Sequence, residues 1–274
     1  MDMACLGGRR VHKRQSAPQQ DQGLVVVPTA RGMSGVGLVR AIALFLLLLC
    51  AHRSGADPAF TGIRDRAQEI YVIDVRIGES SVRNLTNHFA NDRLPDWSRD
   101  GSRIAFVSDR DNEPGDIFVM DGDGGSPTNL TVHPAWDRHS SWSPDGRQLA
   151  FTSNRSGNRD IFVMDSDGAN LRRVTQDVRI DAEPAWSPDG AQIAFTSTRG
   201  GNYGIYLIGV DGSKVTELTN HPEGDGQPAW SPDGRLIAFA SSRDGPAAEL
   251  YVMTANGNRL RRLTERDGHS MDPN

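Results

Sequence analysis

The chain has 274 residues, a formal net charge of -5, two cysteines and 29 glycines. That length can bury a sizeable core as one large domain or two small ones, and the acidic balance argues against the basic face that a nucleic-acid binder presents. The averages conceal a split. Residues 1–56 carry seven basic and two acidic side chains, leaving 23 of the 30 basic and 33 of the 35 acidic ones for residues 57–274, a net -10. Both cysteines, Cys5 and Cys50, lie in the first part. The remainder therefore offers no disulfide, no cysteine–metal site and no thiol nucleophile.

In the first 56 residues, Ala41 to Ala51 (AIALFLLLLCA) form an apolar run just after Arg40. A membrane-spanning helix needs about 20 apolar residues, so this run is too short. It fits the core of a secretory signal, with Ser54-Gly55-Ala56 as the small-residue cleavage site. Met33 would give a signal of ordinary length, and both starts stay open. Cys50 invites lipid attachment, but Leu49 stands where such signals carry a small residue, so plain cleavage is preferred. Arg9-Arg10 lies far upstream of the apolar run and is a weak twin-arginine signal. Residues 1–56 are read as an export segment, and residues 57–274 as a periplasmic or secreted chain with no transmembrane helix.

From residue 60 onward one pattern recurs. Phe60-Thr61-Gly62-Ile63-Arg64, then Ile70 to Asp74 (IYVID) and Asn84-Leu85-Thr86, form an incomplete first unit. Four complete units follow. Trp97, Trp142, Trp186 and Trp230 open WSRDG once and WSPDG three times. Nine residues later come Phe106, Phe151, Phe195 and Phe239, each within F-x-S-x-R. IFVMD (twice), IYLIG or LYVMT follows, and Thr131, Thr175, Thr219 and Thr264 close the units. The runs are short, β-branched or aromatic, and bounded by Gly, Pro, Asn and Asp, so they are strands. In Ser143-Pro144-Asp145-Gly146, proline sets φ for a tight turn and glycine takes the left-handed position. Asp123-Gly124, Asp167-Gly168, Asp211-Gly212 and Asn256-Gly257 repeat that role one hairpin later. Four strands every ~44 residues is the period of a β-propeller blade. The fold class is all-β, a propeller of four complete four-stranded blades plus a partial one, five-bladed if the termini close it. One tryptophan per blade is expected to wedge between neighbours.

Each closing threonine of the first four units precedes the next tryptophan by eleven residues, and from Thr264 the same count lands one position past the end. Two readings follow. Residues 265–274 supply a stub of first strand to the incomplete unit, or the chain is a fragment of a six-bladed protein.

The phrase WSPDGRxIAFxSxR…IYVMDxDG…LT resembles the TolB-type propeller repeat, over about residues 57–274. The resemblance implies an exported, non-enzymatic, monomeric scaffold for protein partners in the cell envelope, of the Tol-Pal type, with a Pal-like lipoprotein as one partner. The α/β domain that precedes the propeller in TolB has no counterpart here. Related propellers also shape access to peptidase active sites, and some sugar lyases hold a metal on channel histidines, which is the alternative reading.

No G-x-S-x-G, H-E-x-x-H or phosphate-binding loop is present. No cofactor and no catalytic or metal residue is assigned. His88, His133 and His221 each lie two residues after a closing threonine and are read as loop residues rather than a metal ring. DGDGG at 121–125 and DSDG at 165–168 lack the calcium-loop pattern and are read as turns. The binding candidate is the set Asp92, Asp137, Asp181 and Asp225, each five residues before a tryptophan at the mouth of a first strand. Four such carboxylates around a channel would form an acidic ring for a cation or a basic segment. The plain alternative pairs each with an arginine such as Arg110 or Arg155.

Overall fold

The computed structural model describes residues 57–64, 67–111, 113–245 and 247–264, together with the strand Val25–Val26. Among them are five four-stranded sheets, the blades of a five-bladed β-propeller. Blade I contains Val25–Val26, Ala59–Arg64, Ala67–Val72 and Arg83–Asn84. Blade II contains Asp92–Trp97, Arg103–Ser108, Asp116–Asp121 and Thr128–Asn129. Blade III follows with Asp137–Trp142, Gln148–Ser153, Asp160–Asp165 and Arg172–Arg173. Blade IV has Asp181–Trp186, Gln192–Ser197, Gly204–Gly209 and Thr216–Glu217, and blade V has Asp225–Trp230, Leu236–Ser241, Glu249–Thr254 and Arg261–Arg262. Each is an antiparallel meander with strands in chain order. The first strands of blades II to V lie against one another around the axis. The only helix among the described residues is a single 3-10 turn, Glu79–Ser81, so none is long and apolar enough to cross a membrane.

Both faces of blades II to IV are buried, because alternate residues of the second strand point to opposite neighbours. In blade V one face of that strand, Leu236, Ala238 and Ala240, is exposed or half-buried. Trp142, Leu149, Phe151, Phe162 and Met164 of blade III pack against Ala105, Val107, Ile117 and Val119 of blade II. Trp186 and Trp230 occupy the same place at the next two junctions. The expected wedge is therefore present, and it is also pinned. The indole Nε1 of Trp142 donates to the carbonyl of Asp96 (3.1 Å), and that of Trp230 to Ala185 (3.1 Å), each in the preceding blade.

Blade I differs from the sequence reading in one respect. Its first strand is Val25–Val26, which pairs with Ile63 and Gly62 although it lies within the segment assigned to export. The Val25-Val26-Val27 run between Gly23 and Pro28 has the β-branched content and the breakers of a short strand. Residues 265–274, expected to fill that place, lie outside the described residues, as does the rest of the export segment.

The tight turns form as their residues require. In blade III, Gly146 adopts φ 68° and donates to the Ser143 carbonyl, while Asp145 Oδ1 accepts from the Ser143 hydroxyl and the Arg147 amide. The same contacts hold Asp100, Asp189 and Asp233.

Two predictions follow from this packing. Trp186→Ala should lower unfolding free energy by about 3–5 kcal/mol, the usual cost of removing a buried tryptophan. A denaturant midpoint that barely moves would contradict the wedge. The second concerns acid. Hydrogen bonds from serine hydroxyls and turn amides hold the Asp100 carboxyl down at about 2 and those of Asp145, Asp189 and Asp233 below the usual value. A depressed carboxyl stabilises the fold above its unfolded value near 3.8 and loses that contribution as pH falls through the folded value. Replacing Asp145 and Asp189 by Asn should therefore flatten the fall in melting temperature below about pH 4. An acid limb as steep as the parent's would overturn this.

Candidate functional site

The four candidate aspartates begin the first strands of blades II to V, and each is engaged within its own blade. Asp92, Asp137, Asp181 and Asp225 are buried, and each pairs with the arginine eighteen residues on: Arg110 (2.8 Å), Arg155 (2.7 Å), Arg199 (2.8 Å) and Arg243 (2.7 Å). Each guanidinium also donates through Nε to the serine two residues before it, at 2.9–3.0 Å. Its plane lies over two stacked or tilted rings, Phe106 and Phe118 under Arg110 and Phe151 and Phe162 under Arg155. F-x-S-x-R is thus one device: the phenylalanine forms the floor, the serine fixes the fork and the arginine neutralises the aspartate. Burial pushes the Asp137 and Asp181 carboxyls up, against the pull of the serine and arginine. Each carboxylate is thus tied to its own arginine through one oxygen, while the other (Asp92 Oδ1, Asp137 Oδ1, Asp181 Oδ1 and Asp225 Oδ2) is buried with no hydrogen-bond donor among the described residues.

The histidines serve the turns. His88 Nδ1 accepts from the Ala90 amide (3.1 Å), His133 Nδ1 from Ala135 (2.9 Å) and His221 Nδ1 from Glu223 (3.3 Å). In blade III, Asp177 does the same for Arg179 (2.9 Å), which explains why Asp and His alternate at this position. Asp123 and Asp167 likewise accept from amides two residues on. Among the described residues, no three His, Cys, Asp or Glu side chains gather closely enough to hold a metal ion.

Two sets of residues escaped the sequence reading. The first is a line of buried acids that opens the third strand in blades II, III and V (Asp116, Asp160 and Glu249) and stands third in that strand of blade I (Glu69), with Gly204 in blade IV. Each acid accepts from the closing threonine, Thr86 Oγ1 donating to Glu69 Oε2 (2.5 Å), and the same threonine oxygen accepts from the amide of the following third-strand residue. The signal was legible, since an acid precedes the IFVM run in four units.

The second set sits at the bulge of each first strand; Leu94 packs against the blade II–III core, and His139, Glu183 and Gln227 line a cavity. Two residues after each mouth aspartate the strand bulges, and Leu94, His139, Glu183 and Gln227 take left-handed φ of 55–58°. In blades II, IV and V the amide of this residue is held by a threonine of the preceding blade: Leu94 by Thr61, Glu183 by Thr152 and Gln227 by Thr196. The side chain differs in every blade, so no period marks it. Beside His139 stands Trp136, the one tryptophan outside the repeat, with Arg138 and Arg159 over its ring at 4.7 and 4.8 Å. Burial and these two cations push the His139 imidazole down, against the Glu183 carboxylate.

These residues adjoin a cavity of about 320 Å³ that includes His139, Arg159, Glu183, Tyr203, Glu223 and Gln227 in its lining. It opens where small residues follow the mouth aspartate. Arg93 and Arg138 hold that position in blades II and III, but Ala182 and Gly226 hold it in blades IV and V. A smaller cavity of about 90 Å³ lies among the WSPDG corners at the opposite end. There Arg99, which stands where the other corners carry proline, donates across to the Pro188 carbonyl (3.2 Å).

Four-stranded blades, each complete one carrying a tryptophan corner and an F-x-S-x-R clamp, define a TolB-type β-propeller. The family model described as the TolB beta propeller domain matches residues 138–224 and 183–274, which together span half of the chain, and the protein belongs to that family. A TolB structure from Agrobacterium tumefaciens is 27% identical, with a TM-score of 0.65 over 75% of this chain and 76% of that one. TolB from Acinetobacter baumannii is 24% identical, TM-score 0.63, over 76% of this chain and only 52% of the other. An oligogalacturonate lyase from Vibrio parahaemolyticus shares the fold at 16% identity and TM-score 0.56, over 76% of this chain and 63% of that one. No curated protein matches the sequence.

Arg155→Ala should cost about 3–5 kcal/mol, because it strands the Asp137 carboxylate in the blade. Chemical denaturation reads the effect directly. A loss below about 1 kcal/mol would mean that the pair is not a structural clamp.

Proposed function

We propose that the protein is an exported, non-enzymatic scaffold that binds protein partners in the cell envelope, with the periplasm as its setting and a Pal-like lipoprotein as one partner. Membership in the TolB propeller family and the apolar run from Ala41 to Ala51 support the setting; cleavage after Ala56 would remove Val25–Val26 and leave that edge of blade I open to another strand. The observation that carries the binding role is an exposed apolar set on the mouth face. Phe89, Val132 and Val178 are 88%, 74% and 89% exposed on the three successive loops that join blades I to IV. Large apolar side chains left in water on neighbouring loops favour a protein surface that covers them. The blades that these loops lead into, II to IV, are each held by a buried ion pair, so the loops stand on a rigid base.

The test is affinity capture from an envelope extract with the parent protein and with a Phe89→Asp, Val178→Asp variant. The parent should retain a Pal-like lipoprotein and the variant should lose it while keeping the parent's melting temperature. Capture of that partner by both proteins, or by neither, overturns the proposal.

A further inference from the structure

Among the described residues, Glu183 is the one half-buried carboxylate at the bulged positions, and the fold holds it without a cation within ion-pair distance. Its Oε2 accepts from the Thr196 hydroxyl (2.8 Å) and the Gln227 amide (2.9 Å). Among the described residues, no lysine, arginine or histidine nitrogen comes within ion-pair distance of it, and no donor takes Oε1. The contrast with its neighbours is direct, since every mouth aspartate has an arginine at 2.7–2.8 Å. A carboxylate with one oxygen fixed by neutral donors and the other open towards a cavity presents a positioned charge to a cation entering from solvent.

The cavity beside it supplies the room and the selectivity. Gly226 brings the strand so near that a Cβ there would lie 3.3 Å from Glu183 Oε2. Ala182, Ala240 and the Tyr203 ring give apolar wall, and Glu223 adds a second carboxylate at the exposed edge. Arg159, which stands over Trp136, also lines the cavity and disfavours a cation close to it. His139 lines the same cavity with its Nδ1 shut off from solvent and without a partner. A compact cation on an alkyl stem satisfies this arrangement, with its charge on Glu183 and its chain along the apolar wall.

We propose that the cavity at the mouth of blades IV and V is a binding site for an alkylammonium group, with Glu183 as its counter-charge. The group comes either from a free amine or from a lysine side chain. The site does not depend on the apolar loops that carry the protein-binding role.

Calorimetric titration of the full chain with putrescine and with N-acetyl-lysine amide tests this. Saturable binding of at least one probe is expected, weakened about tenfold or more in Glu183→Gln, which keeps the acceptor but removes the charge. Gly226→Arg, which places in blade V the residue type that blades II and III carry, should abolish binding, and a cooperative melting transition checks that the chain still folds. Putrescine alone binding points to a free amine; equal binding of the blocked lysine points to a partner's side chain. The Phe89→Asp, Val178→Asp variant should bind as the parent does, which separates this site from the docking face. No binding of either probe at millimolar concentration, or binding indifferent to both Glu183→Gln and Gly226→Arg, overturns the proposal.

Discussion

An aspartate buried at the start of each complete blade's first strand is tenable only because an arginine from the same blade reaches it. An isolated carboxylate in that position would be strongly disfavoured, and the arginine alone equally so. Together they form a charge-assisted bond that joins the first strand to the loop between the second and third. The serine two residues before the arginine and the aromatic rings beneath it hold the guanidinium plane. Most of the repeat's wording follows from this requirement. Phenylalanine, serine and arginine must keep their spacing across the end of the second strand and the loop after it, and the aspartate must stand five residues before the tryptophan.

The clamp also explains what is free to vary. Once the aspartate and the tryptophan are both anchored, the residues between them must fit a length set at either end, and the strand takes up the difference in a bulge. A left-handed φ on a residue with a side chain is costly, and a threonine of the preceding blade offsets part of it by accepting the exposed amide. Where Val107 replaces that threonine, the bulged residue is His139. Leu, His, Glu and Gln at four equivalent places show that the fold does not choose this side chain. The bulge is thus where one blade can differ from another without disturbing the core.

Blade I lacks the device. Gly62 stands in place of the serine, and its first strand is two valines with no mouth aspartate. It is joined to blade II by apolar packing of Ile70 against Ile104, Phe106 and Trp97, and by the Thr61–Leu94 bond. Trp97, at this junction, is more exposed than Trp142, Trp186 and Trp230, and its Nε1 finds no carbonyl partner among the described residues. The difference in wording between the worn first unit and the four complete ones is therefore a difference in how the blades are tied.

The strands, their turns, the four-stranded blade and the tryptophan wedge were all determined by the sequence itself. Each rests on local pattern: alternation along a strand, a proline and a glycine at set places in a turn, and a period that repeats the same surface against itself. The pairing of Asp137 with Arg155 was legible only as one of two readings, because spacing cannot say whether a carboxylate faces its own blade or the axis. The turn role of His88, the strand at Val25–Val26, the crossing of Arg99 to Pro188 and the uncompensated charge of Glu183 were decided by the tertiary structure alone. All of these depend on which groups from distant parts of the chain meet, and on how much water is left between them.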